Sequence, residues 1–123
     1  MMMLTEDYGT VLPRSGKSLV ISKGFMTDGT SIPHEAWSLI RATPFDPDLL
    51  APSVAHDALY EAELVPRSDA DGEFEDMLTE NSRRGRDLHF LFFIAVRAGG
   101  RVVWNRHTPE SIAEARKFCS IRI

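Results

Sequence analysis

Proline and glycine set the strongest limits on how this chain can fold, because they part a short β-prone beginning from a remainder with helical spacing. Around residues 8–12 and 17–22 lie two β-prone runs, and Pro13-Arg14-Ser15-Gly16 between them supplies turn residues. This pattern predicts an antiparallel β-ribbon. Gly24-Phe25-Met26-Thr27-Asp28-Gly29-Thr30-Ser31-Ile32-Pro33 follows, whose glycines, hydroxyl residues and proline deny continuity to both helix and strand and predict a structured loop. Pro33 suits the first turn of a short helix carrying Ala36, Trp37, Leu39 and Ile40, and Thr43-Pro44-Phe45-Asp46-Pro47 breaks the chain again.

Helical spacing dominates from there. The segment from Asp48 or Pro52 to about Leu64 predicts a helix stopped by Pro66, with Val54, Ala58 and Val65 on one apolar line and His56, Leu59, Tyr60 and Glu63 on the next. A second helix starts with Ser68 as N-cap and Asp71 three residues on, buries Phe74, Met77 and Leu78, and carries an acidic opposite face. Arg86 to about Ala98 predicts a third, largely buried helix ended by Gly99-Gly100. Thr108-Pro109-Glu110 opens a last one through Ala113 and Arg116-Lys117. The expected fold class is α+β: a single domain over residues 1–123, with an N-terminal antiparallel β-ribbon packed on a small bundle of about four helices. The two central helices are expected to run antiparallel and to carry His56 and Asp71 across their interface.

A chain of 123 residues buries enough surface for one core and too little for two. Its single cysteine, Cys119, excludes a disulfide framework and a cysteine-rich zinc site, and reads as a small packing residue with no nucleophilic task. The longest apolar run, Phe90-Leu91-Phe92-Phe93-Ile94-Ala95-Val96, falls far short of the roughly 20 residues of a spanning helix, so a transmembrane protein is not expected. No basic residue precedes an apolar stretch at the start, which points to synthesis in a cytoplasm rather than export. Charge is unevenly spread: residues 1–80 carry a net −10 and residues 81–123 a net +6. Two readings stand, mutual neutralisation within the fold or separate attraction for cations and for an anionic surface. The cluster Arg83-Arg84-Gly85-Arg86, with Arg97, Arg101 and Arg106 beyond it, fits a solvated helix end or a contact with phosphate groups. No nucleic-acid motif accompanies it, so nucleic acid is not an expected partner.

The densest chemical signal is His56-Asp57-x-x-Tyr60. On a helix His56 and Tyr60 share a face, while Asp57 points about 100° round the axis to a neighbouring surface. A general base needs one imidazole nitrogen open and a partner on the other to fix the tautomer, and Asp71 of the second helix is the candidate partner. Asp57, Asp28 and loop carbonyls such as that of Gly29 would make an oxygen-rich site suited to calcium. Each element also has a plainer reading. His56 with Asp71 is then a satisfied buried hydrogen bond, Asp71 the acidic half of a capping box, Asp57 a surface carboxylate, Asp28 a turn cap and Tyr60 a core residue. A metal-dependent phosphohydrolase of the His-Asp type, drawing on His34, is a further reading, but that architecture is wholly helical.

His56-Asp57-Ala58-Leu59-Tyr60, preceded by a glycine-containing loop with a proline and followed by Ala70-Asp71 on a second helix, resembles the phospholipase A2 catalytic arrangement. The resemblance implies an imidazole base at His56, calcium held by Asp57 and loop carbonyls, and Tyr60 with Asp71 bracing the histidine. The cysteines flanking that family's motif and its dense glycine loop are missing here. The residues from Gly24 to Pro33, then Trp37, Ala55-His56-Asp57-Ala58-Leu59-Tyr60, Arg67, Ala70-Asp71, Phe74 and Ala95-Val96-Arg97, are similar to a bacteriophage and prophage family, the domain of unknown function numbered thirteen-fifty-three. That likeness implies a phage-encoded origin and supplies no reaction.

Two functions are therefore expected in competition. One is a phage-encoded, phospholipase-like hydrolase of the bacterial envelope, with His56, Asp71 and Tyr60 catalytic and Asp57, Asp28 and Gly29 at a calcium ion. The other is a non-catalytic tail or capsid accessory protein in which the same residues brace the fold and the partners are other phage structural proteins. The first would act on an ester or amide bond of the bacterial envelope, with envelope lipid as a partner, and requires His56 and Asp57 to line an open pocket near the loop. Either protein would be made in the host cytoplasm, and packaging in the virion is compatible with both.

Overall fold

In the computed structural model, which describes residues 2–27 and 46–122, the order of elements is β1 Met2–Met3, β2 Tyr8–Val11, β3 Ser18–Ile21, β4 Met26–Thr27, then α1 Pro47–Glu61, α2 Arg67–Asn81, α3 Arg86–Asn105, α4 Pro109–Arg116 and finally β5 Cys119–Arg122. The α+β class follows directly. The ribbon lies where the turn residues predict it: β2 and β3 pair antiparallel with Tyr8 opposite Ile21 and Val11 opposite Ser18. Gly16 adopts φ +75°, a left-handed conformation open to glycine, and its N–H closes the turn on the Leu12 carbonyl at 2.8 Å. Leu19 and Ile21 alternate inward along β3 and are fully buried.

Three strands escape the sequence reading. β5 pairs antiparallel with the free edge of β3, Leu19 opposite Ile121, so the C-terminus completes a three-stranded sheet ordered β2-β3-β5. β1 and β4 pair as a two-residue ladder, which makes strand of Met26-Thr27 where a loop is expected. Pairs this short carry no periodicity to read. The short helix expected after Pro33, with Ala36, Trp37, Leu39 and Ile40, lies outside the described residues, as do Asp28, Gly29 and His34.

The helices need three corrections. α2 is entered from Pro66, not from Ser68, and its N-terminus has no side-chain cap. The Pro66 carbonyl instead accepts from the N–H of Asp69 and of Ala70, and the capping box with Asp71 does not form because that carboxylate is used elsewhere. α3 does not stop at Gly99-Gly100 but runs on to Asn105. Gly100 is there for contact, since a Cβ on it would collide with the Tyr60 hydroxyl. Nor is α3 largely buried: His89, Phe92, Val96 and Gly100 face inward while Phe90, Ile94 and Val102 stand in solvent. α4 forms as predicted, Thr108 and Ser111 closing a reciprocal capping box ahead of Pro109.

Packing is layered round α1. The Asp48 carboxylate near its start accepts from Ser82, just past the end of α2, while Tyr60 near its end meets Arg67 at the start of α2, so the two helices run antiparallel. Val54, Ala55, Ala58 and Leu59 of α1 join Leu12, Leu19, Ile21 and Cys119 of the sheet side in one core cluster. Leu49 of α1, Phe74 and Leu78 of α2 and Phe92 and Val96 of α3 make a second. Arg116 of α4 donates to the carbonyls of Ala62 (2.7 Å) and Glu63 (3.1 Å), which caps the C-terminal end of α1.

The acidic face of α2 holds the ribbon in place. Glu73, almost fully buried, accepts from the Arg14 N–H at 2.6 Å and the Ser15 hydroxyl at 2.8 Å, while the Arg14 guanidinium crosses Gly72 to reach Asp76 at 3.0 Å. A Cβ on residue 72 would overlap that guanidinium. Replacing Glu73→Ala strands the turn N–H groups. Urea unfolding is expected to give a loss of about 1–3 kcal/mol with an unchanged m-value.

Candidate functional site: a buried carboxylate joining three helices

From Pro52 to Tyr60 every residue of α1 is buried, so no side of this half-helix faces water. Polar groups placed there must find partners inside the protein. His56 is 0% exposed, and its Nε2 lies 2.9 Å from Oδ1 of Asp71, itself 0% exposed. Tyr60, one turn further along α1, donates its hydroxyl to the same oxygen at 2.7 Å. Thus the three expected catalytic residues meet at one point between α1 and α2.

The other carboxylate oxygen belongs to arginines. Arg97 of α3 reaches Asp71 Oδ2 at 2.9 Å, and Arg67, four residues before Asp71 on α2, reaches it at 3.5 Å. The same Arg67 nitrogen also donates to the carbonyls of Val96 (3.2 Å) and Arg97 (3.1 Å), tying the start of α2 to the middle of α3. Sequence reasoning did not assign Arg67 or Arg97 to the site. The available signals were the i,i+4 spacing of Arg67 to Asp71 and the presence of both arginines in the pattern of similar residues.

Electrostatics follow from that inventory. Burial by itself would raise the Asp71 carboxyl, but the hydrogen bonds of His56, Tyr60 and Arg97 outweigh it and hold Asp71 below the ordinary carboxylate range. Burial and the adjoining Asp71 charge push the Tyr60 phenol far above its usual value, so Tyr60 stays a neutral donor. With Asp71 ionised, the His56 Nε2–H donates to it. Aromatic rings enclose the imidazole: Tyr60 at 4.3 Å and Phe74 at 4.7 Å between centroids, with Trp104 edge-on to Tyr60 at 5.3 Å.

Asp57 is no surface carboxylate: it is 3% exposed and accepts the hydroxyl of Thr27, the buried end of β4. This hydrogen bond joins α1 to the β1–β4 ladder. Of the expected cation ligands, Asp57 is the one that the described residues include, since Asp28 and Gly29 fall outside them. Among the described residues no three His, Cys, Asp or Glu side chains gather as a metal site. Cys119 is buried, its thiol pushed up to about 12 by burial and then by the charges of Glu61 and Asp57, which is unsuited to nucleophilic work.

Fold and site together define an α+β protein organised on an internal His–Asp–Tyr cluster clamped by two arginines. The chain belongs to the family described as protein of unknown function (DUF1353), whose model matches residues 2–96. That span includes His56, Tyr60, Arg67 and Asp71 and ends one residue before Arg97. Comparison with the curated proteins and with the solved structures gives no match. No helix among the described residues is long and apolar enough to cross a membrane.

Truncating Asp71→Ala leaves two guanidiniums and two further donors around an empty position. The expected loss is about 3 kcal/mol, the low end for a broken buried ion pair, because Arg97 keeps 36% of its side chain in water. The pH dependence has a definite sign. Asp71 binds its proton less readily folded than unfolded, so its contribution is present above its ordinary value of 3.8 and is lost as pH falls through the lower folded value. Urea melts from about pH 5 down to pH 2 should show that decline, and Asp71→Asn should flatten it.

Proposed function

We propose that the protein is a phospholipase-like hydrolase, phage-encoded and directed at ester bonds of bacterial envelope lipid, with His56 as the general base. The observation that carries this reading is the shared use of Asp71 Oδ1 by His56 Nε2 (2.9 Å) and the Tyr60 hydroxyl (2.7 Å). That arrangement fixes one tautomer and one ring orientation, which is what a histidine base requires. In the proposed reaction the His56 imidazole takes a proton from water as the water oxygen attacks the ester carbonyl carbon. The ionised Asp71 stabilises the imidazolium, and the proton passes to the departing alkoxide. Arg67 and Arg97 position Asp71 and keep it charged. Asp57 would be the protein's carboxylate ligand to a divalent cation, calcium by the oxygen chemistry of the site, which when bound would polarise the ester carbonyl.

One observation favours a second reading, an accessory phage component without catalysis: His56, Tyr60 and Asp71 have no exposed surface. A cluster sealed in this way also suits a brace, because a buried imidazole needs its partner whether or not it reacts. The two readings part on mutation. For the hydrolase, wild-type protein releases fatty acid from phosphatidylglycerol vesicles assayed with millimolar calcium, and His56→Ala and Asp57→Asn each abolish that release. Wild-type protein that releases no fatty acid, together with a clear drop in the melting temperature of His56→Ala, would sink the hydrolase and leave the brace. Calcium is also expected to raise the wild-type melting temperature and to leave that of Asp57→Asn unchanged.

A further inference from the structure

α3 has two apolar faces. One packs on α2 through Phe92 and Val96; the other, turned outward, presents Phe90 at 57%, Ile94 at 46% and Val102 at 54% exposure. The outward residues Asp87, Phe90, Ile94, Ala98 and Arg101 follow one another at spacings of three, four, four and three, which keeps them on one face of the helix. Phe90 is held by stacking on Phe93, with centroids 6.4 Å apart. Asp87 and Arg101 are both exposed, and neither forms an ion pair among the described residues.

That face is symmetric about Ile94. Asp87 and Arg101 stand equally far on either side of it, as do Phe90 and Ala98. Two copies of α3 laid antiparallel with Ile94 on the two-fold axis therefore set Asp87 against Arg101 of the second copy, twice, and the large Phe90 against the small Ala98, twice. A parallel pairing would place like charges together at both ends. A lipid surface would have to take up the Asp87 carboxylate at one end of the same stripe. We propose that this face is the isologous interface of a homodimer, two α3 helices crossing antiparallel at Ile94.

A helix pair of this length is small for a stable interface, so association on the order of 10 μM is expected. Sedimentation equilibrium of the full chain between about 1 and 200 μM should show the mass rising from 13.8 kDa towards twice that value. Ile94→Glu, which sets two carboxylates face to face on the axis, should hold the protein at the monomer mass. Asp87→Arg alone and Arg101→Asp alone should each weaken association at least about tenfold. Combined in one chain they should restore it to within about threefold of wild type, because each pair is then re-formed with its signs exchanged. Circular dichroism checks that each variant folds, and if Ile94→Glu does not, the charge exchange carries the test. A wild-type chain that remains monomeric throughout overturns the proposal. So does a double variant no better than the single ones. A monomeric wild type that pellets with anionic vesicles, and loses that on Ile94→Glu, overturns it in favour of a lipid-binding face.

Discussion

A single buried negative charge organises the helical part of this protein. Asp71 sits fully inside, where an ionised carboxylate costs far more than in water unless its lone pairs are filled. Here they are filled from three helices: His56 and Tyr60 of α1, Arg67 of α2 itself and Arg97 of α3. Any rearrangement of the three helices that separates these groups leaves a charge unpaired in the interior. The cluster thereby selects one relative placement of the helices, which apolar packing of Phe74, Phe92 and Val96 alone would specify less sharply.

The same logic extends outward from α1. Because its second half has no solvent face, His56, Asp57 and Tyr60 on it form links to other elements. His56 and Tyr60 link to α2, and Asp57 links through the Thr27 hydroxyl to β4. The C-terminal carbonyls beyond the helix are taken by Arg116 of α4. Glu73 performs the equivalent task for the ribbon, with the turn N–H groups of Arg14 and Ser15 gathered on one buried carboxylate. Between the two oppositely charged chain regions, Arg97 pairs with Asp71 and Arg84 with Asp46 and Asp48, so part of that charge is neutralised within the fold.

An oriented histidine in such a setting serves chemistry and architecture through the same bonds. Holding Nε2 on an ionised carboxylate gives the ring the tautomer a base needs, and it also satisfies a group that burial would otherwise penalise. What differs between the two uses is access of water and substrate to the other face of the ring. That is a property of motion and surroundings, and the bond lengths within the cluster are the same for both.

Much of the fold was legible in local signals. Turn residues round Gly16 foretold the ribbon, Thr108-Pro109 foretold the start of α4, and the one-turn spacing of His56 and Tyr60 foretold a shared face directed at Asp71. Those features depend on neighbours within a few positions, where backbone geometry alone sets direction. Ser68 as a cap and Gly99-Gly100 as a stop were misleading for the complementary reason: each is a local preference overruled by a distant contact, Asp71 by His56 and Gly100 by Tyr60. Arg67 and Arg97, the pairing of β5 with β3 and the burial of Asp57 belong to the same class. By itself the sequence determined which groups existed and which neighbours shared a face. Only the tertiary structure decided which of them met, because a buried charge draws its partners from wherever the packed helices bring donors within reach.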